Sequence, residues 1–573
     1  MKENYVLNEK SVILNFGANY CKTESEVLSS DTFRRVWETY LKYLNRSKNE
    51  KLISLVKIVR DPVKQFINLY KLLLSFSIRE IVDMSDAYKK ILSNHETFYE
   101  LIEDFYDYWR HLERYSVTRS QGVKASLQSL NFIDSASDFN ALILKVYRNI
   151  CQKVYGTTFH IYRQLAAGIN ASVEICDNNW TENYLEYQNL ADMPFINYVL
   201  IRPTFITYSA KNTRKGLYYE VFENEISNLK LDPNEWFCYP AHVGSSLAYV
   251  YFHRDYMHHG IALSNLFEFV HIDEIYGRKP DLIYIFGAPI EGESRFYFDK
   301  KNDIYVGLAT YGDEIDYFGY MKKMLLTLHN VKMISQGYLP IHGACVNITM
   351  KNGTKKTLVM IGDSGAGKSE SLEALRTVAG KNIVSMRTIF DDMGTFKIEN
   401  NKVMAYGTEI GAFVRLDDLE NGYAYKEMDR AIFLNPDKVN ARIVLPVATY
   451  PQIMKGYEVD MIFYANNYSE DENVIAEFTS VEEAIDTFRQ GARVAKGTTS
   501  EKGLVKSYFA NPFGPTQRQE ECDILLDKYF QTLFETNKKV GEIRTRLAIS
   551  GEEYEGPRAV AKELFKELDK VKK

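Results

Sequence analysis

The sequence predicts a mixed α/β protein, with a helical N-terminal domain ahead of two α/β lobes. Three observations carry that expectation. Aromatic and aliphatic side chains recur at three- and four-residue steps through roughly the first 120 residues. From about residue 160, short β-branched and aromatic runs alternate with Gly, Pro, Asn and Asp. Further on, an apolar strand, a glycine-rich loop and a helix follow one another around Gly362–Ser369. A chain of 573 residues suits about three domains. The composition divides it into a helical accessory domain (1–160), a first α/β lobe (161–335) and a second, nucleotide-binding lobe (336–573).

In the helical part, "FRRVWETYLKYLNR" and "ETFYELIEDFYDYWRHLERY" carry stripes of the kind that pack a core. Ser85 opens "SDAYKKIL" as a helix cap. The runs "FINYVLIRPTFITYS", "LAYVYFHRDYM", "PDLIYIFGAP" and "NDIYVGLATYG" predict strands of a mixed sheet. After them come a helix-like "MKKMLLTLHNVKMISQGYLP" and strands over "IHGACVNITM", "KTLVMIG", "MDRAIFL", "KVNARIVLPV" and "VDMIFYA". Helices over "PTQRQEECDILLDKYFQTLFET" and "PRAVAKELFKELDK" close the chain.

Bulk properties narrow the function. A formal net charge of -6 supplies no basic field for nucleic acid or anionic membrane, so any anion site is local. Six scattered cysteines without a CxxC predict reduced thiols in the cytoplasm. The longest apolar stretch, "FINLYKLLLSFSI", is too short to span a bilayer.

Gly362 to Ser369 fit the phosphate-loop pattern G-x-x-x-x-G-K-[ST]. Gly362, Gly365 and Gly367 allow close backbone approach, so that the amides of Gly362, Asp363, Ser364, Gly365, Ala366, Gly367, Lys368, Ser369 and Glu370 line a nucleotide-phosphate site. Lys368 supplies charge to the β/γ-phosphates, and the Ser369 hydroxyl offers a Mg²⁺ ligand. Lys323, His342 and Asp392, brought together, form an N, N, O donor set suited to Mn²⁺. Lysine ligates only as a neutral amine, which requires burial or a nearby cation.

The order of these pieces resembles the ATP-type phosphoenolpyruvate carboxykinases. That family's "YGGEMKKG" is similar to "YFGYMKKM" here, and its "MHCSANV" to "IHGACVN"; His342 follows Lys323 by nineteen positions, the family's interval. The resemblance covers roughly residues 275–573 and implies a two-lobed carboxykinase-like fold. It also implies Lys323, His342 and Asp392 as Mn²⁺ ligands, Ser369 and Asp391 at Mg²⁺, and Tyr317 as a contact to substrate or CO₂. Within the loop, Ser364 matches the family's serine. Glu409 and Arg415 fall on the family's glutamate and catalytic lysine, Arg442 on the arginine that neutralises the transferring phosphoryl group, and Arg546 on an adenine-face contact. The implied reaction converts oxaloacetate and ATP to phosphoenolpyruvate, CO₂ and ADP, reversibly, with Lys323, Lys368, Arg415, Arg442 and Tyr317 as catalytic residues and "VAKGTTSEKGLV" as a lid. The family's substrate-binding "TGRSPKDK" has no counterpart; Arg202 and Arg214 are the nearest candidates. "GDSGAGKSES" is closer to the HPr kinase/phosphorylases, which share this core. A protein or small-molecule kinase and a nucleotide-binding regulator therefore stand as alternatives.

Overall fold

The computed structural model describes residues 5–16, 21–47, 49–119, 128–155, 167–202, 204–213, 216–363, 365–416, 430–495 and 503–569. It is a mixed α/β structure with several mixed sheets. The chain forms two compact units, one of residues 1–177 with 194–205, the other of residues 178–193 with 206–573. The boundary expected at 335/336 falls inside the second unit, between the helix Phe318–Ser335 and the strand Leu339–Met350.

In the first unit the aromatic stripes form the core. Trp37 is fully buried and stacks on Phe105 at a centroid distance of 4.3 Å and on Phe66 at 5.5 Å. These residues come from the helices Asp31–Ser47, Pro62–Ser75 and His95–His111. Tyr40 buries its ring in the same cluster and satisfies its hydroxyl by donating to Asp104 at 2.7 Å. The helices start where local chemistry permits. Asp61 accepts from the Lys64 amide with Pro62 in the first turn, and Ser77 and Glu80 form a capping box. Ser85 sits at an N-cap, but its side chain makes no capping bond. The unit also contains strands. Tyr5–Leu7 and Ser11–Asn15 pair antiparallel; Ser11–Asn15, Glu113–Arg119 and Ala171–Cys176 run parallel; and Phe195–Ile201 returns antiparallel.

Among its described residues the second unit contributes to a four-stranded sheet, a two-stranded one and two large ones. In one, Ser246–His253, Leu282–Ala288 and Ile304–Thr310 run parallel and are buried along almost their whole length. The other places Leu339–Met350 between Met393–Glu399 and the strand Lys355–Ile361 that leads into the phosphate loop. Its two faces are covered from opposite sides. Leu526, Tyr529 and Phe530 of the helix Gln519–Glu535 meet Cys345, Val359 and Ile361. Leu375 of Lys368–Ala379, with Val560 and Leu564 of Glu555–Asp569, meets Ala344, Val346, Leu358 and Met360. Double coverage is why "LVMI" is a continuous apolar run and not an alternating one. In the four-stranded sheet, Gly411–Arg415 and Ile432–Leu434 flank Arg442–Pro446. No described helix is long and apolar enough to cross a membrane.

Truncating Trp37 to alanine removes a side chain stacked on two others. We expect a loss of about 3–5 kcal/mol in denaturant unfolding followed by near-ultraviolet circular dichroism. A loss below about 1 kcal/mol would contradict this packing.

Candidate nucleotide and metal site

The strand Lys355–Ile361 ends at the phosphate loop, and the helix Lys368–Ala379 begins at its lysine. Gly365 and Gly367 adopt φ of 80° and 90°, a region that excludes most side chains. A Cβ on Gly367 would also lie 2.6 Å from Thr545, whose hydroxyl donates to the Ala366 carbonyl at 2.7 Å. The Lys368 ammonium reaches across the loop to the carbonyls of Gly362 (2.6 Å) and Asp363 (3.1 Å). Arg493 Nε donates to the Asp363 carboxylate at 2.8 Å. Ser369 is exposed, with its hydroxyl 3.5 Å from Asp391, and Glu370 is half-buried in the first helical turn. Ser364 lies outside the described residues.

Backbone hydrogen bonds tie this loop to the metal-type residues. The Gly362 amide donates to the His342 carbonyl at 3.3 Å, and the Gly343 amide donates to the Asp392 carbonyl at 3.0 Å. Gly343 has no room for a side chain: a Cβ would sit 2.3 Å from the Met360 carbonyl oxygen. His342, Asp392 and the loop are therefore registered by the strand ladder itself.

The side chains converge as the donor set requires. Asp392 Oδ2 is 2.7 Å from Lys323 Nζ, and Asp392 Oδ1 is 2.9 Å from His342 Nε2. The other imidazole nitrogen, Nδ1, is 2.5 Å from the Ala510 carbonyl, an acceptor to which it must donate. Nε2 of a neutral ring then offers a lone pair toward a carboxylate, an arrangement that requires a proton or a cation between them. Phe509 and Ala510 hold φ of 52° and 49°, unusual for non-glycine residues, and this conformation presents the Ala510 carbonyl. The Phe513 ring lies 4.4 Å from the Lys323 ammonium.

The two adjacent lysines have opposite environments. Lys322 is fully buried, with Nζ 2.7 Å from Asp392 and 2.8 Å from Glu409. Burial disfavours its charge, but the two carboxylates outweigh that and push its pKa up. Lys323 is shifted down, by burial first and by the neighbouring Lys322 as well, with Asp392 opposing. Lys322 is thus the counter-ion and Lys323 the amine better suited to ligation. Burial works against ionised Asp392, yet the lysines and His342 hold it well below the usual carboxylate range. Asp391 is pushed up to about 6 by burial and by Asp392. Glu409 rises to about 7 through burial, opposed by Lys322. The donor set of Lys323, His342 and Asp392 fits a transition-metal ion, and Ser369 with Asp391 fits a second, oxygen-ligated ion.

Arg415 and Arg442 are directly opposite each other on antiparallel strands. Like charges so placed repel, and an anion between them would relieve the repulsion. The Arg442 guanidinium lies 5.3 Å from the Phe413 ring, Lys322 Nζ is 5.7 Å from the same ring, and the Tyr317 ring is 6.0 Å away. Phe413 therefore joins the arginine pair to the lysine cluster. Arg546 follows Thr545 and is held by the Asp471 carbonyl at 2.7 Å. Arg202 belongs to the first unit, where Nη2 donates to Ser137 at 2.6 Å. Arg214 and residues 496–502 of the expected lid lie outside the described residues. Sequence reasoning gave no role to Lys322, Phe413, Arg493 or the Ala510 carbonyl. Only Lys322 had a signal, the double lysine.

No protein-family model matches the chain, and no curated protein does.

Two outcomes follow from this electrostatic arrangement. Asp391 and Glu409 are held above their ordinary values of 3.8 and 4.5, so between about pH 4 and 7 these two groups bind more protons in the folded chain than in the unfolded one. In EDTA, their contribution to the urea midpoint should fall as pH rises through that window, while His329, pushed down to about 4 by burial, contributes in the opposite sense. Asp391→Asn should flatten the fall and stabilise the protein by about 2 kcal/mol at pH 7; a variant that tracks wild type would refute the assignment. Gly343→Ala should separate the His342 strand from Met360 and cost about 1–3 kcal/mol in urea unfolding; an unchanged midpoint would contradict that close approach.

Proposed function

We propose that this chain is an ATP-dependent phosphoenolpyruvate carboxykinase, acting on oxaloacetate, phosphoenolpyruvate and CO₂ with Mn²⁺ and Mg²⁺. The observation that carries the reading is the convergence of Lys323, His342 and Asp392 on one another, backbone-registered to the phosphate loop. A kinase that only moves phosphate needs no buried, charge-depleted lysine beside a histidine. Decarboxylation leaves an enolate oxygen, and a divalent metal acts there as a Lewis acid.

The chain's own residues meet the remaining demands. Lys368 and the loop amides bind and orient the triphosphate. Arg415 and Arg442 neutralise charge as the γ-phosphoryl group passes to the enolate oxygen, a step governed by alignment more than by proton transfer. Lys322 stays protonated between Asp392 and Glu409 and so fixes both carboxylates. Tyr317, buried at the start of the lysine helix, faces the same aromatic wall as Arg442.

A second reading, a kinase on the same core with a protein serine or small molecule as acceptor, is favoured by one observation. Arg202 is committed to Ser137, which leaves the substrate carboxylates without an assigned arginine among the described residues.

Purified protein incubated with ADP, Mn²⁺, phosphoenolpyruvate and bicarbonate should form oxaloacetate, followed as NADH oxidation with malate dehydrogenase. Lys323→Ala and His342→Gln should each lower the rate at least about 100-fold while ATP still binds. Folded, ATP-binding wild type that yields no oxaloacetate would overturn the carboxykinase reading and favour the kinase.

A further inference from the structure

The second unit contains another cluster of metal-type donors, distinct from the one just described. The short helix Met257–Ala262 presents two consecutive histidines, His258 and His259, both buried. Their imidazoles lie against each other with centroids 3.9 Å apart, and both aim Nε2 at the same carboxylate oxygen. His258 Nε2 is 3.1 Å and His259 Nε2 3.0 Å from Asp316 Oδ1. The three donor atoms all lie within 4.8 Å of one another. Donors around one tetrahedral ion at about 2.0–2.2 Å lie roughly 3.3–3.6 Å apart, so the two nitrogen–oxygen pairs at 3.1 and 3.0 Å need to open only slightly to admit one.

The surroundings hold the set in place. Asp316 Oδ2 accepts the Ala210 amide at 2.7 Å, and the Asp316 carbonyl accepts the Lys211 amide at 3.1 Å. Tyr256, immediately before the histidine helix, donates its hydroxyl to the Gly312 carbonyl at 3.1 Å and accepts the Gly312 amide at 2.9 Å. A ligating carboxylate whose second oxygen is tied to backbone is the usual outer support of a metal site. Burial disfavours ionised Asp316, yet the two imidazoles keep its pKa well below the ordinary range, so it stands as a carboxylate.

We propose that His258, His259 and Asp316 bind one divalent transition-metal ion of the Zn²⁺ class, separate from the Lys323–His342–Asp392 set. Two imidazoles and a carboxylate select such an ion over Mg²⁺ or Ca²⁺, which favour all-oxygen shells. Its place defines its role. Asp316 directly precedes Tyr317, the N-cap of the helix that carries Lys322 and Lys323. An ion joining Asp316 to the Met257–Ala262 helix therefore fixes the entry of the lysine helix and sets its lysines relative to Asp392. It is a structural ion, and it is independent of whether the chain is a carboxykinase or a kinase.

The test uses full-length His342→Gln, which disables the other donor set, stripped with chelator and titrated with Co²⁺. We expect about one equivalent bound, with the visible absorption of a four- or five-coordinate ion. Adding His258→Gln and His259→Gln should abolish that absorption and weaken binding at least about 100-fold. No uptake by His342→Gln, or unchanged uptake by the triple variant, would overturn the proposal. If the triple variant fails to fold, crystals of wild type grown with Co²⁺ decide. An anomalous peak between His258, His259 and Asp316 supports the site, and none there overturns it. Neither result depends on oxaloacetate formation.

Discussion

The second unit is organised around one carboxylate. Asp392 sits between the strands Ile383–Phe390 and Met393–Glu399, and three basic groups close on it. Placing so many ionisable groups in a partly dry site is costly unless each charge finds its opposite. Asp392 is that opposite for Lys322, with Glu409 beside it, and the same carboxylate is also the contact of Lys323 and His342. The strands that bear it are registered to the His342 strand by main-chain hydrogen bonds, so the charges meet at positions the sheet has already set. Mixed α/β architecture here is a means of bringing a histidine, two lysines, two aspartates and an anion loop to one place.

Around that centre the protein separates charges by chemistry. Lys322 and Lys323 are neighbours on one helix, yet one is secured by two carboxylates and the other gives way to desolvation. Asp391 and Asp392 are likewise adjacent and pushed in opposite directions. Pairs of identical side chains driven apart by their surroundings are a mark of sites that do acid–base or metal chemistry. Phe413 makes a further division. Its ring lets a guanidinium and an ammonium share one aromatic body without direct contact.

What was legible in the sequence follows from how local each signal is. The strand "KTLVMIG", the loop and the helix after it are contiguous, and the structure follows them closely as Lys355–Ile361 and Lys368–Ala379. The aromatic stripe around Trp37 was legible as core because helical spacing puts those residues on one face. The strands of the first unit at Tyr5–Leu7 and Ser11–Asn15 were not read, being short and flanked by helical patterns. The Ala510 carbonyl was invisible because a backbone oxygen has no side-chain signature, and its aim depends on two left-handed residues. His258 and His259 stood in plain view as a dipeptide, but their partner, Asp316, is more than fifty residues away and only the fold brings it near.

Thr545 supports the phosphate loop from far along the chain. Gly367 rests against its side chain, and its hydroxyl holds the Ala366 carbonyl. The loop can thus be translated long before the residue that braces it. During synthesis the nascent chain exposes a glycine-rich segment whose supports arrive one after another, Asn467 on the Gly365 carbonyl, Arg493 on Asp363 and, last, the threonine that follows the strand Lys539–Arg544. The finished loop conformation is then one of the last features the growing polypeptide acquires, and a premature stop between Ser369 and Thr545 yields a product with the motif but without this brace.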